Sequence, residues 1–301
     1  MKLAVHISFF NRNKNKTDRW ANADEKFPYL KKIIEEYNDY PMGVDIFIHT
    51  NKLFDVNHIN YSPYQNGKVS IIQHNLFKYF IFKGKNYYLT WACRKLLLLQ
   101  KNQYDFFLYQ EDDIFIPKNT IIYWLNNKDK CLKNNSNLGF LRIEMKDGEE
   151  YVSDLTEKLT KEKYLGENKY IVNDINPYCA FWIYDKKEFN RWIESDLYDL
   201  KRVHGYEALV SRKLEKIGLN KYPRLRYLIY SYKNKRPDSA MEASAIGING
   251  LRINWYTNTL IPFKDGYLDK DCKVFHLSNY YANEKDTPMG SIKFKDILNL
   301  N

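Results

Sequence analysis

The chain of 301 residues is 28% charged, has a mean hydropathy of -0.61 and holds no apolar run near the ~18 residues that cross a bilayer. That marks a soluble globular protein without a membrane-spanning helix, long enough for one large α/β domain or two small ones. The net charge of +10, from 47 Lys and Arg against 37 Asp and Glu, would suit a phosphorylated donor, an anionic acceptor or nucleic acid. The basic residues are spread along the chain, so most belong to solvated faces.

Leu3–Phe10 reads as a first buried strand. As a secretory signal it is too short, is interrupted by His6 and runs into Asn11-Arg12-Asn13-Lys14 with no small-residue cleavage site, so the expected location is the cytoplasm, of a host cell if the source is viral. Four cysteines, Cys93, Cys131, Cys179 and Cys272, are widely spaced with no C-x-x-C pair, which argues against zinc and a disulfide framework and for a reducing compartment. After a polar loop to Asp18, Asp24 is placed to cap a helix carrying Tyr29, Leu30, Ile33, Ile34 and Tyr37 at helical spacing. Val44–Thr50 and Val69–His74 are the next strands. Leu89–Gln100 then reads as a helix with Leu89, Ala92, Leu96 and Leu99 on one stripe and Arg94 and Lys95 beside it. Strands and helices alternating in this way imply β-α-β units and a parallel sheet.

The next strand is the most informative. Tyr104-Asp105-Phe106-Phe107-Leu108-Tyr109-Gln110 is an apolar run of the kind buried on both sheet faces, and it stops at Glu111-Asp112-Asp113. Ligands of α/β sheets collect beyond the carboxyl ends of strands, where these three acids fall. Their mutual repulsion calls for a cation between them, and oxygen ligands select Mn²⁺ or Mg²⁺, which keep part of their shell for phosphate oxygens. The plainer reading is an acidic turn before a helix opened by Pro117, Lys118 and Asn119.

An apolar strand ending in Glu111-Asp112-Asp113 resembles the D-x-D motif of GT-A-fold, metal-dependent nucleotide-sugar glycosyltransferases, spelled E-D-D here. The resemblance implies a GT-A-like, Rossmann-like fold: a mostly parallel central sheet flanked by helices, with an irregular acceptor half. It implies one domain, with 1–125 binding the nucleotide sugar and 126–301 the acceptor. It further implies a hexosyltransferase using a UDP-sugar and Mn²⁺ (or Mg²⁺), with a glycan or glycoprotein as acceptor. On this reading Asp113 ligates the metal directly, and Glu111 or Asp112 acts on the metal shell or the ribose. The loops after the first two strands, at Asn11, Arg12, Thr50 and Asn51, face the nucleotide. Arg94 is a diphosphate ligand or, more plainly, a surface cation.

In the second half, Gly139–Ile143 reads as a strand, Asp147–Lys163 as a charged mobile segment and Asn176–Tyr184 as an aromatic-rich strand. A helix bearing Phe189, Trp192 and Ile193 follows, and another opens at His204-Gly205-Tyr206-Glu207. By resemblance His276, on a short late strand, completes the metal site; a lone histidine among apolar residues is otherwise a satisfied core residue. Glu207 is the candidate catalytic base, with Asp174 and Asp199 as competitors, although a Glu in a first helical turn is favoured by the helix dipole alone. Tyr178, Trp182 and Trp192 either line an acceptor cleft or pack in the core. The alternative from another class is a metal-dependent nucleic-acid enzyme or binder. The chain offers it basic charge and aromatics, but no nucleic-acid motif and only one acidic cluster.

Overall fold

The computed structural model describes residues 1–12, 23–59, 64–75, 89–194, 198, 259–284 and 288–300. In chain order its strands begin with β1 (Lys2–Phe9), β2 (Gly43–Thr50), β3 (Val69–Gln73), β4 (Phe106–Glu111) and β5 (Ile114–Phe115). They continue with β6 (Asn137–Leu138), β7 (Leu141–Lys146), β8 (Glu149–Val152), β9 (Lys161–Leu165), β10 (Asn168–Val172) and β11 (Phe181–Asp185). The last are β12 (Thr259–Lys264), β13 (Tyr267–Leu268), β14 (Lys273–His276) and β15 (Ile292–Lys293). The α-helices are α1 (Ala23–Tyr37), α2 (Arg94–Gln100), α3 (Lys118–Lys133), α4 (Lys186–Ile193) and the single turn α5 (Tyr280–Asn283). No described helix is long and apolar enough to cross a membrane.

The fold is α/β and Rossmann-like. Its central sheet runs β11-β4-β1-β2-β3, parallel except where β11 pairs antiparallel with β4. β1, β2 and β4 are buried along nearly their whole length, which is why their sequences are apolar at odd and even positions alike. One face packs against Leu30, Ile33 and Ile34 of α1 and Ile121 and Trp124 of α3. The other packs against Leu97 of α2 and Phe189 and Trp192 of α4. From β1 the chain steps to β2 and β3 on one side and then returns to lay β4 on the other. The carboxyl ends of β1 and β4 are therefore a topological switch point, where such sheets open a crevice for ligands.

Three local expectations are corrected. α2 starts at Arg94, after a 3₁₀ turn at residues 89–91, and buries Arg94, Leu97 and Gln100 while Leu99 is exposed. Four consecutive leucines fit either stripe, so periodicity alone could not choose. Asp24 lies inside α1, not at its cap. The segment expected to be mobile contains an ordered hairpin: Asp147 and Gly148, with φ of 51° and 75°, form the two-residue turn between β7 and β8, and Leu155 and Leu159 are fully buried.

Among the described residues there are two further sheets, β13-β12-β10-β9 with β6 beside β12, and β15-β8-β7-β14-β5. In the last, β14 runs parallel to β7 and antiparallel to β5, setting His276 opposite Ile114. The end of the late strand is thus fixed beside the acidic turn by backbone register.

The α2 side of the sheet also holds a chain of imidazoles. Gln100 Oε1 lies 3.0 Å from His6 Nε2, His6 Nδ1 2.9 Å from His49 Nε2, and His49 Nδ1 2.7 Å from His74 Nε2. With the Gln100 oxygen as acceptor, every ring is satisfied as a neutral Nε2–H tautomer donating inward. Burial pushes His6 down to about 3 and His49 well below the usual range, the latter aided by its histidine neighbours.

Because these folded values lie below the unfolded one, the unfolded chain binds more protons as the pH falls. Their contribution is complete above about pH 6.5 and is lost on acidification. Carboxyls with raised values, such as Glu111, stabilise on acidification in the same range, so the histidine contribution is read as a difference. In melting curves, wild type should lose about 1–1.5 kcal/mol more than His49→Gln between about pH 8 and about pH 5.5. His49→Gln should show a shallower slope than wild type; equal slopes would refute the assignment.

Candidate active site at the acidic turn

Gln110, the last wholly buried residue of β4, shapes the turn. Its Nε2 donates to the Ile114 carbonyl at 2.7 Å, and its Oε1 accepts the Tyr37 hydroxyl. The chain is folded back immediately after Glu111, and the Leu277 N–H, donating to the Asp113 carbonyl at 2.8 Å, ties the turn to the end of β14.

The three acids diverge to different partners. Lys26 of α1 reaches both Asp112 oxygens, at 2.7 and 2.8 Å. Asp113 Oδ2 lies 3.2 Å from His276 Nε2, and Glu111 Oε1 accepts the Tyr178 hydroxyl at 3.0 Å. His276 Nδ1 faces Glu144 Oε1, and Ser278 Oγ lies 2.8 Å from Nε2. Arg142 holds Asp154 through two hydrogen bonds of 2.8 and 2.6 Å, its guanidinium near the rings of Tyr178 and Tyr281.

Burial, then the charge of Asp113, pushes Glu111 up to about 7. Asp113 is half-buried, and its desolvation is outweighed: the His276 charge and hydrogen bond, with Lys26 and Arg142, hold it well below the usual carboxylate range. Burial disfavours the His276 cation, yet Asp113 and Glu144 raise its pKa to about 9. Lys26 is held protonated against its burial chiefly by Asp112 and Asp113.

Asp113 and His276 are thus brought together, as are the loops after β1 and β2. The Asn11 N–H donates to Asn51 Oδ1 at 2.7 Å, and Asn51 Nδ2 returns a bond to the Asn11 carbonyl at 3.1 Å. Arg12 is half-buried, its guanidinium 5.7 Å from the Phe10 ring centre. Arg94 is not the surface cation of the plainer reading. It is buried, its guanidinium lies near the rings of Trp91, Trp192 and Tyr198, and it donates to the Tyr198 carbonyl at 2.7 Å. Asp174 is ion-paired with Lys161. Trp182 and Trp192 are core residues, whereas Tyr178 is half-buried against Glu111. Glu207 and Asp199 lie outside the described residues.

No three His, Cys, Asp or Glu side chains converge on one point among the described residues. The Asp113–His276 contact of 3.2 Å is a hydrogen-bonded ion pair, which is the cause of the shifts of both groups. One carboxylate and one imidazole with open positions fit a divalent ion that completes its shell with water or phosphate oxygens. Sequence reasoning missed Lys26, Arg142 and Glu144. The last two gave no signal either: the alternation in Leu141-Arg142-Ile143-Glu144 reads as a strand with one solvated face, whereas both of its faces are buried.

No protein-family model matches the chain, and no curated protein matches it. Among solved structures, two of S. aureus TarS are similar at 18% and 14% identity, each with a TM-score of 0.35, over 64% of this chain and 29% and 49% of theirs. The galactosyltransferase LgtC, in complex with donor and acceptor sugar analogues, aligns at 13% identity and a TM-score of 0.35, over 83% of this chain and 70% of LgtC. The chain thus spans less than half of either TarS structure. At this level of similarity the activity has to be read from the site itself.

Gln110→Leu removes both bonds that set the turn and leaves the Ile114 carbonyl and Tyr37 hydroxyl unpaired. Urea denaturation should show a loss of about 1–3 kcal/mol, the scale for buried groups left unsatisfied. An unchanged midpoint would mean that the turn does not depend on Gln110.

Proposed function

We propose that the protein is a metal-dependent glycosyltransferase of the GT-A type, transferring a sugar from a UDP donor to a glycan or glycoprotein acceptor. The observation that carries this reading is the meeting of Asp113 and His276 at the β1–β4 switch point, from positions 163 residues apart. A divalent cation, when bound, supplies neutralising charge for the diphosphate leaving group. Asp113 and His276 would hold it.

The remaining roles fall to the chain itself. Lys26 and Arg142 add fixed positive charge around the turn and, with His276, hold Asp113 ionised. The clipped loops at Asn11–Arg12 and Asn51 edge the crevice where a nucleotide base and ribose would lie. Tyr178 holds Glu111, leaving that carboxylate to address the ribose or the metal's water shell. Glu207 remains the base that the sequence nominates for the acceptor hydroxyl, and its Gln variant should lower transfer by at least ~10²-fold with UDP affinity unchanged.

The direct test titrates UDP calorimetrically with and without Mn²⁺. Wild type should bind UDP only with the ion, and Asp113→Ala should lose that dependence while melting cooperatively. His276→Ala should weaken Mn²⁺ by about 10- to 100-fold, the scale for losses at metal sites. Metal-dependent UDP binding that survives in Asp113→Ala, or binding of an oligonucleotide in place of UDP, would end this reading. A donor-hydrolysis screen over nucleotide sugars then names the sugar.

A further inference from the structure

Glu144 is wholly buried on β7, in a position where an ionised carboxylate needs a specific purpose. Both of its oxygens accept: Oε1 faces His276 Nδ1, and Oε2 takes the backbone N–H of Ala282 at the first turn of α5. A neighbouring contact locks this segment in place. Asn279, in the left-handed region at φ 49°, turns the chain out of β14, and its Oδ1 accepts the Met145 N–H at 2.8 Å. Gly290, at φ +71°, lies so close to the backbone of Tyr281 and Ala282 that a Cβ there would sit 2.6 Å from the Ala282 nitrogen. A side chain at Gly290 would displace the backbone that carries the Ala282 N–H to Glu144.

An ionised carboxylate can only accept, so the His276 nitrogen facing it must carry a proton. That fixes Nδ1–H on the Glu144 side and turns Nε2 toward Asp113 at 3.2 Å and Ser278 Oγ at 2.8 Å, where it too carries a proton until a cation displaces it. Without Glu144 the imidazole could flip or change tautomer, and its metal-facing nitrogen would be lost part of the time. We infer that Glu144 is a positioning residue that fixes the orientation and tautomer of His276 and so presents Nε2 to a divalent cation shared with Asp113. This rests on the metal-site reading above and extends it from the ligands to the group that aligns them.

Glutamine is the informative replacement. It is isosteric but has a single accepting oxygen, so either His276 Nδ1–H or the Ala282 N–H loses its partner. Mn²⁺ alone is titrated, followed by electron paramagnetic resonance, into wild type, His276→Ala, Glu144→Gln and Glu144→Asp. Wild type should bind, His276→Ala and Glu144→Gln should each bind about 10- to 100-fold more weakly, and Glu144→Asp should recover part of the loss. Long-range ¹⁵N–¹H spectra of Mg²⁺-loaded wild type should show His276 protonated at Nδ1, which keeps the test open if a Glu144 variant does not fold. Wild-type affinity in Glu144→Gln, or an Nε2–H tautomer in the loaded protein, would overturn the role of Glu144 while leaving the metal site standing. Absence of Mn²⁺ binding in wild type, or no effect of His276→Ala, would remove the metal site itself and this inference with it.

Discussion

Three carboxylates on consecutive residues can be buried only if each finds its own donor or counter-charge, and the fold around Glu111–Asp113 is arranged to provide them. Each partner arrives from a different part of the chain: Lys26 from the helix after β1, Tyr178 from the approach to β11, His276 from the end of β14. A disturbance of any of these elements reaches the acids directly, since a buried charge left alone costs several kcal/mol. The local clamp by Gln110 matters for the same reason. It makes the turn tight enough for the three side chains to diverge toward three partners instead of converging on one another.

Two levels of precision position the site. Backbone register does the coarse work: Ser8 pairs with Glu111, and His276 with Ile114. These alignments bring the acidic turn and the late histidine to one place before any side chain is considered. Side-chain bonds then set orientation, through Glu144 on one side of the imidazole and Asp113 on the other.

The parallel half of the molecule was readable because a strand buried on both faces has an unmistakable composition, and because an abrupt change from Phe107-Leu108-Tyr109 to three acids is rare in a core. His276 could be nominated only through a resemblance; nothing in Val274-Phe275-His276-Leu277 distinguishes a site histidine from a packed one. His6 and His49 show how weak that signal is, since they are equally apolar in context and serve one another in the core. Lys26 had no legible signal, because a lysine early in an amphipathic helix is ordinarily solvated. Arg94, expected as a diphosphate ligand or a surface cation, is enclosed by aromatic rings contributed largely from residues about a hundred positions later.

The charge inventory bears on whether an added cation belongs at the turn. Sequence reasoning invoked a metal because three acids repel, but the protein answers part of that repulsion itself. Among the described residues, Glu111, Asp112, Asp113, Glu144 and Asp154 face Lys26, Arg142 and protonated His276, which leaves two carboxylates without a matching cation. The shortfall is expressed at Glu111, whose carboxyl is pushed up to about 7 by burial and by Asp113, so it keeps its proton where an ordinary glutamate would not. Internal cations thus stabilise the turn enough to fold without removing its preference for more positive charge. A divalent ion that displaced one proton would add one net positive charge and so offset part of that deficit. It would replace the proton between Asp113 and His276 and favour ionised Glu111 by simple Coulomb attraction. The partial compensation is what a binding site requires: full neutralisation by the chain would leave nothing for a cation to gain, and none would leave the turn unable to fold.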